Sequence, residues 1–311
     1  MYTTDSVAIL LATYQGEKYL RAQLDSLLAQ TETDWKVFAH DDGSRDATLS
    51  ILREYERRDP ARFCVIDAPG TGGAKNNFLM LAGQVEAPYY MFCDQDDVWL
   101  PDKIGTTLRA MHSLEREQGK DRPCLVHTEL QVVDSALGMI CPRLSEYQGI
   151  EPQSLTLGRL LAQNTVTGCT MMVNRTLRDA MIRYADPSAI RMHDWWAALI
   201  AMRFGGLRFV PEATMLYRQH GDNSVGAQRS GGLIGSLKKA LHARGAIRKS
   251  IQATRVQALT FAQAFDLPED DLIARYGRLS AQSKLQRLRF YRENGIRRSR
   301  PLENLAFKLF G

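Results

Sequence analysis

Short apolar runs alternate with longer, helically periodic segments over the first 120 residues of the chain. Continuous apolar runs predict buried strands at 7–12, 35–39, 63–66 and 89–93. Each run is followed by a helical pattern, such as Leu20, Leu24 and Leu28 after the first run. The fourth pattern is predicted to begin at Pro101. Apolar strands that alternate with helices predict an α/β fold with a mostly parallel central sheet, flanked by helices.

The alternation is less regular after residue 120. Strand-like segments are predicted at 124–133, 166–173, 207–210 and 214–219. Helical patterns are predicted near 154–162, 175–184 and 194–204. The chain shows no internal repeat and no low-complexity segment, so these elements are expected to extend the α/β domain.

The composition excludes several classes of protein. Of the 311 residues, 44% are hydrophobic and 24% are charged, which argues against disorder. No apolar run approaches the roughly 18 residues of a membrane-spanning helix, and the beginning of the chain lacks the features of a signal peptide. Five scattered cysteines without a CxxC pair indicate reduced thiols in a cytoplasmic protein, and they argue against a structural zinc site.

The charge is distributed unevenly. Residues 229–311 contain 17 Lys or Arg against 6 Asp or Glu, a net charge of +11, so residues 1–228 carry −6. This difference predicts a domain at 1–228 and a basic, helical C-terminal extension at 229–311.

Acidic residues follow two of the predicted strands. Asp94, Asp96 and Asp97 come directly after the fourth run, where their mutual repulsion favours a bound Mg²⁺ or Mn²⁺. A solvated acidic turn is the alternative. Asp41 and Asp42 follow the second run, and a carboxylate there can accept hydrogen bonds from a nucleobase or ribose. An Asx-type turn through Gly43-Ser44 is the other interpretation of this pair.

These motifs resemble glycosyltransferase family 2, which has the GT-A fold. The resemblance is carried by Leu-Ala-Thr-Tyr-Gln at 11–15, Asp-Asp-Gly-Ser at 41–44 and Asp-Gln-Asp-Asp at 94–97, and it extends over about 5–225. It implies that nucleotide-contacting residues are Thr13, Tyr14, Asp41, Asp42 and Asp94. It also implies that Asp94 and Asp96 hold the divalent ion on the diphosphate of a sugar donor. Within the family, the set is most similar to bacterial rhamnosyltransferases of cell-surface polysaccharide synthesis.

The resemblance continues in the second half of the chain. Gly168, in the segment 164–173, corresponds to a small residue beneath the acceptor site. Asp194 corresponds to the family's catalytic base, while His193 stands where the family usually has Glu, which leaves the role of His193 open. His220 lies in a segment, 217–225, that resembles the closing loop and is expected to contact the metal or the diphosphate.

Each of these residues also has a purely structural interpretation. Asp194 can act as the N-terminal cap of the helix after it, and His220 can be a hydrogen-bonding histidine. Trp195 and Trp196 pack in the core or stack on an acceptor sugar. Asn77, with the preceding Gly-Gly pair, is expected near the donor sugar, although Gly-Gly is equally a plain turn.

The basic tail allows three partners. Residues 233–264 have the pattern of an amphipathic helix with a cationic face, suited to an anionic membrane surface. Packing on the body of the protein or on a second subunit, as in a homodimer, is the alternative. A nucleic-acid partner is not expected, because few aromatic residues lie among the charges and the body is acidic.

The sequence therefore predicts an inverting, metal-dependent glycosyltransferase. Its donor would be a dTDP- or UDP-linked sugar, L-rhamnose in the subgroup above, and its acceptor a saccharide or lipid-linked saccharide. The expected location is the cytoplasm or the inner face of the cell membrane. Two alternatives remain: a non-catalytic nucleotide- or phosphate-binding module with a cationic tail, and a processive synthase. The lack of transmembrane runs and of a Gln-Xxx-Xxx-Arg-Trp motif counts against the synthase.

Overall fold

The computed structural model describes residues 6–184, 186–220 and 237–311, without the side chains of 237–243. Part of the predicted closing loop, 221–225, lies outside the described residues, as does the predicted beginning of the tail helix at 233–236.

The described chain forms nine strands. Their bounds are β1 (Val7–Thr13), β2 (Trp35–Asp41), β3 (Phe63–Val65), β4 (Tyr89–Asp94), β5 (Val98–Trp99), β6 (Cys124–Val133), β7 (Met139–Cys141), β8 (Met171–Asn174) and β9 (Gly206–Arg218).

Twelve α-helices are found in the same residues. Their bounds are α1 (Glu17–Leu28), α2 (Thr48–Arg58), α3 (Ala74–Gln84), α4 (Lys103–Gln118), α5 (Leu144–Gln148), α6 (Leu157–Ala162), α7 (Arg175–Tyr184), α8 (His193–Phe204), α9 (Leu237–Ala264), α10 (Leu272–Gly277), α11 (Lys284–Glu293) and α12 (Pro301–Phe310).

The strands form one sheet in the order β3-β2-β1-β4-β8-β6-β9-β5, with β7 paired to β6. The first half of the sheet is parallel, because β1 pairs with β2 and β4, and β2 pairs with β3, all in parallel. Beyond β4 the sheet is mixed, since β8 is antiparallel to both of its neighbours while β6 and β9 are parallel. The α/β prediction is confirmed, with parallel pairing among β1–β4 and between β6 and β9, and antiparallel pairing around β8.

The register of the parallel strands brings the sequence motifs together. Thr13 at the end of β1 is paired with Asp41 of β2, and the preceding Ala12 is paired with Asp94 of β4. The three motifs therefore lie side by side at the carboxyl edge, where open α/β sheets bind ligands.

Three element predictions need correction. The two strands predicted at 207–210 and 214–219 are a single strand, β9, which keeps its pairing with β6 through register shifts. The strand predicted at 166–173 begins with a 3₁₀ turn at Gly168–Thr170, and extended structure starts only at Met171. Helix α4 begins at Lys103 instead of Pro101, because Pro101 and Asp102 form a turn before it.

The C-terminal helices pack on the body of the protein. Phe261 of α9 is fully buried, with its ring 5.2 Å from that of Trp196 of α8 and 4.6 Å from that of Phe265. Phe261 and Val256 are both apolar residues of the amphipathic helix predicted at 233–264. Phe261 faces the core, while Val256 is 39% exposed. Packing on the body therefore accounts for part of the apolar face of the tail.

None of the helices in the described ranges is both long enough and apolar enough to span a membrane.

Candidate active site

A cavity of about 820 Å³ opens at the carboxyl edge of the sheet. It is bounded by the ends of β1 and β4 and by the beginning of α8. Nine of the predicted site residues line it: Thr13, Tyr14, Asp42, Asn77, Asp94, Asp96, Gly168, Asp194 and Trp195. Asp41, Trp196 and His220 are not part of its lining.

The two adjacent aspartates after β2 have different roles. The Asp41 carboxylate accepts hydrogen bonds from the Ser44 N–H at 2.8 Å and from the hydroxyls of Ser44 and Thr13, at 2.6 and 3.0 Å. This is the Asx-type turn that the sequence left open. Asp41 is not part of the cavity lining, and its contact with a nucleotide stays a prediction. Asp41 fixes the loop around the site.

Asp42 lines the cavity and holds its glycine-rich loop. Its carboxylate accepts hydrogen bonds from the Gly72 and Gly73 N–H groups, at 3.2 and 2.6 Å, and from both the N–H and the hydroxyl of Thr71. Burial alone would raise the pKa of Asp42, but these donors outweigh it and leave the pKa below its usual value. Gly72 and Gly73 have positive φ angles, which explains why glycine occupies both positions. Asp42 is therefore an ionised anchor at the cavity wall.

Gln95 joins two of the motifs, and its role was not foreseen from the sequence. The Tyr14 N–H donates to Gln95 Oε1 at 2.7 Å, and Gln95 Nε2 donates to the Tyr14 carbonyl at 2.8 Å. A side-chain amide that satisfies both backbone groups of one residue holds the loop after β1 against the acidic loop. The feature of the sequence that could have indicated a role for Gln95 is its position between Asp94 and Asp96.

Asn77 lies in the cavity wall, but its amide is already used. Asn77 Oδ1 is 2.9 Å from His40 Nδ1, and Asn77 Nδ2 donates to the His40 carbonyl at 3.2 Å. The side chain is 1% exposed. Asn77 therefore joins α3 to β2, and its expected contact with the donor sugar would require these bonds to be exchanged.

The acidic loop carries more negative charge than the nearby side chains neutralise. Asp97 is 1% exposed and accepts the Arg218 N–H at 3.1 Å through Oδ1, while Oδ2 has no hydrogen-bond partner within the described ranges. Burial raises the pKa of Asp94 to about 7, with further contributions from the charges of Asp96 and Asp194. The same causes, burial and the charges of Asp96 and Asp94, raise the pKa of Asp97 well above its usual range. This part of the cavity therefore favours a cation or bound protons.

The donor set fits a hard divalent cation. Asp94 and Asp96 offer carboxylate oxygens, the ligands that Mg²⁺ and Mn²⁺ prefer. Asp94, Asp97 and Cys169 also offer ligand atoms within 4.8 Å of one another. Burial, followed by the charges of Asp97 and Asp94, raises the pKa of the Cys169 thiol far above its usual value. Because hard cations such as Mg²⁺ and Mn²⁺ prefer oxygen to sulfur, the aspartates are the better ligands in this set. The unpartnered oxygen of Asp97 is consistent with the same need for positive charge.

His220 does not line the cavity, yet it contacts the acidic loop. His220 Nε2 is 2.8 Å from Asp96 Oδ2, and its ring lies 4.9 Å from the ring of Tyr19. Arg218, which the sequence analysis did not single out, donates from Nε to the Asp96 carbonyl at 2.8 Å. Arg218, at the end of β9, and His220, two residues later, thus hold Asp96, a predicted metal ligand.

Asp194 lies in the first turn of α8, with its carboxyl group in the cavity. The Trp195 N–H donates to Asp194 Oδ1 at 2.6 Å. Asp194 is nevertheless not the N-cap, because α8 begins at His193 and its N-cap residue is Met192, so the cap interpretation is wrong. Burial raises the pKa of Asp194 to about 7 against the opposing effect of the Trp195 and Gly168 N–H groups. A carboxyl group with a pKa near 7 is suited to accept a proton at neutral pH.

His193 is buried beside the base. The side chain is 2% exposed, with its ring 4.5 Å from that of Phe78 and 5.1 Å from that of Phe92. Burial lowers its pKa to about 3, so the imidazole is neutral at physiological pH. Gly168 is needed beside it, because a Cβ at that position would lie 2.8 Å from His193 Nε2. Gly168 thus makes room for the ring.

The two consecutive tryptophans of α8 have different surroundings. Trp195 is 8% exposed, lines the cavity and donates from Nε1 to the Leu160 carbonyl at 2.8 Å. Trp196 is fully buried against Phe261 of α9 and Phe265, which follows α9, and this corrects the expectation that Trp196 contacts a sugar. Arg191, which also lines the cavity, places its guanidinium 5.3 Å from the Trp195 ring and was missed because it precedes the recognised motif.

Solved structures with the same fold identify the architecture. TarS 1–349 of S. aureus in complex with UDP-GlcNAc has a TM-score of 0.53 and 17% identity, covering 98% of this chain and 90% of that chain. The mannosyltransferase PcManGT of Pyrobaculum calidifontis, in complex with GDP-Man and Mn²⁺, has a TM-score of 0.52 and 15% identity, covering 97% and 86%. The fold is that of the GT-A glycosyltransferases.

The family follows from sequence comparison. Residues 8–118 match the model of glycosyl transferase family 2. The dTDP-rhamnosyl transferase RfbG of Shigella flexneri is 29% identical over 230 residues, which cover 71% of this chain and 75% of that protein. The family similarity therefore lies at 8–118 for the family model and extends over 71% of the chain for RfbG, in agreement with the motifs that predicted a glycosyltransferase.

Proposed function

We propose that this protein is an inverting glycosyltransferase that moves L-rhamnose from a dTDP-linked donor to a hydroxyl of a saccharide or lipid-linked saccharide. The product would belong to a bacterial cell-surface polysaccharide such as an O-antigen. The observation that carries the proposal is the placement of Asp194 and the acidic loop in one cavity at the carboxyl edge of the sheet. The similarity to a dTDP-rhamnosyl transferase supports the choice of donor, with UDP-linked sugars as the alternative.

Asp194 would act as the general base. Asp194 lines the cavity, and burial raises its pKa. It is therefore a stronger base toward the proton of an attacking sugar hydroxyl than an ordinary carboxylate is. The Trp195 N–H holds Oδ1 of this carboxyl group in place. Direct attack assisted by one base inverts the configuration of the anomeric carbon.

The donor would be held by the loops at the ends of β1, β2 and β4. Thr13 and Tyr14 line the nucleotide side of the cavity, where Asp42 holds the glycine-rich loop in place. Asp94 and Asp96 would hold Mg²⁺ or Mn²⁺, with His220 as a supporting contact. When bound, such a cation stabilises the negative charge that develops on the leaving nucleotide diphosphate.

The basic region 229–311 would form a second functional part after the catalytic region 1–228. Its role in this proposal is to keep the enzyme at the inner face of the cell membrane, where lipid-linked acceptors are found. Its excess of 11 positive charges supports attraction to anionic lipid.

A donor panel tests the proposal. Purified protein would be incubated with dTDP-L-rhamnose and with UDP-linked sugars, in the presence of Mg²⁺, Mn²⁺ or a chelator, and release of nucleotide diphosphate would be measured. We expect metal-dependent release from dTDP-L-rhamnose and, with an acceptor present, a product of inverted anomeric configuration by NMR. Equal release in the chelator would contradict the metal, and a retained configuration would contradict the role of Asp194.

A further inference from the structure

Helix α12 turns an apolar stripe away from the rest of the protein. Leu302, Leu305 and Leu309 are 58%, 54% and 50% exposed, at a spacing that places them on one side of the helix. The opposite side is fixed, because Phe307 is fully buried with its ring 4.8 Å from that of Tyr291. Single exposed leucines are common, but a contiguous stripe indicates an interaction surface.

The segment that carries this stripe has an excess of positive charge. Residues 284–311 contain eight Lys or Arg and two Glu, a net charge of +6. Lys308 of α12 lines an open depression together with Arg292 and Arg297, and in it lies Leu285, which is 81% exposed. These three cationic side chains form no salt bridge with any residue that the structure describes. We call Leu302, Leu305, Leu309 and Lys308 the α12 surface.

The α12 surface begins beside the wall of the active-site cavity. Arg300, which directly precedes α12, donates from Nε to the carbonyl of Gln148, and Gln148 lines the cavity. The Ser299 N–H also donates to Gln163 Oε1 at 2.8 Å, next to the cavity residue Asn164. The helix is therefore tied at its beginning to the cavity wall.

We propose that the α12 surface docks on an anionic phospholipid bilayer. The leucines enter the boundary between headgroups and acyl chains, and the flanking Lys and Arg side chains bind the headgroups. A second copy of the chain is a poorer occupant, because a symmetric contact through this surface would bring two positively charged regions together. Since the surface adjoins the Gln148 side of the cavity, the acceptor is then a saccharide on a lipid of the same membrane. This last step rests on the transfer activity proposed above. Docking refines the membrane role proposed there for 229–311 and does not depend on that activity.

The test compares the full-length protein with the triple variant Leu302→Ser/Leu305→Ser/Leu309→Ser. Sedimentation with phosphatidylcholine vesicles, with and without phosphatidylglycerol, measures binding. Leu49→Ser is the matched control, because Leu49 is 42% exposed on α2, outside this surface. We expect wild type and control to bind the anionic vesicles and to be released by salt, and the triple variant to bind at least about tenfold more weakly. Nucleotide diphosphate release without vesicles should be equal in all three proteins.

Several outcomes would overturn the proposal. Equal vesicle binding by the triple variant and wild type would show that α12 is not the contact, as would failure of wild type to bind. A wild-type dimer that the triple substitution dissociates would identify a second copy as the occupant. If vesicle binding follows the expectation but no donor is turned over, docking stands and the proposed function fails.

Discussion

The substitution Asp194→Asn separates the chemical role of Asp194 from its structural one. Asn has nearly the same size, and its side-chain oxygen can still accept the Trp195 N–H, now 2.6 Å from Asp194 Oδ1. It cannot take a proton from an acceptor hydroxyl. We therefore expect the transfer rate to fall by ~10²–10⁴ while donor affinity changes little.

The same substitution should stabilise the protein at neutral and higher pH. Burial raises the pKa of Asp194 from 3.8 to about 7, so the folded state binds this proton more tightly than the unfolded state does. For a carboxyl group with a raised pKa, stability decreases as pH rises from about 4 to about 7, and the loss is complete above 7. The shift corresponds to at most about 4 kcal/mol, which the Asn variant would not lose.

Two measurements check these expectations. Urea unfolding of wild type and variant is measured at about pH 4.5 and about pH 8, which lie on either side of the shifted pKa. The difference in the free energy of unfolding between the two proteins should grow with pH. A chelator is included, because a bound cation would lower the pKa. Donor affinity and turnover are measured separately.

Asp46→Asn is the matched control. Asp46 also accepts a backbone N–H at the beginning of a helix, that of Thr48 at 3.0 Å, but it lies outside the cavity lining. Burial tends to raise the Asp46 pKa, but hydrogen bonds from Thr48 outweigh it and lower the pKa, so its substitution should not stabilise the protein at high pH. Turnover within a few-fold of wild type in Asp194→Asn would show that Asp194 is not the base. A stability difference that does not change with pH would refute the buried-carboxylate argument.

Three further predictions concern the metal site, the buried histidine and the tail. Asp96→Ala should abolish transfer and make donor binding insensitive to Mg²⁺ without unfolding the protein; titration calorimetry with and without a chelator checks this, and full activity would exclude Asp96 as a ligand. His193→Gln should reduce the loss of stability on acidification, because a folded-state pKa of about 3 costs wild type stability as pH falls below 6.5; urea unfolding at several pH values measures it, and parallel curves would contradict it. Phe261→Ala should lower the free energy of unfolding by about 3–5 kcal/mol, since the ring is fully buried against Trp196 and Phe265; a loss below ~1 kcal/mol would mean that α9 is not part of the core.

The sequence determined the order of the elements and the site's position at one edge of the sheet. Apolar runs report burial directly, so the predicted strand at 7–12 and its three successors lie within one residue or two of the observed ones. Parallel order then follows from the helices between the strands, and it brings Thr13 beside Asp41 and Ala12 beside Asp94. The same local motifs carried the resemblance to glycosyltransferase family 2.

Only the tertiary structure decided which of two neighbouring residues lines the cavity. Asp41 and Asp42 have equal chemistry, but only Asp42 lines the cavity; likewise Trp195 lines it and Trp196 is buried. Successive side chains point in different directions, and what each one meets depends on elements far away in the chain. Trp196 is buried by residues of α9 that follow it by more than sixty positions. Local pattern therefore predicts that a residue is buried or functional, while long-range packing decides between the two.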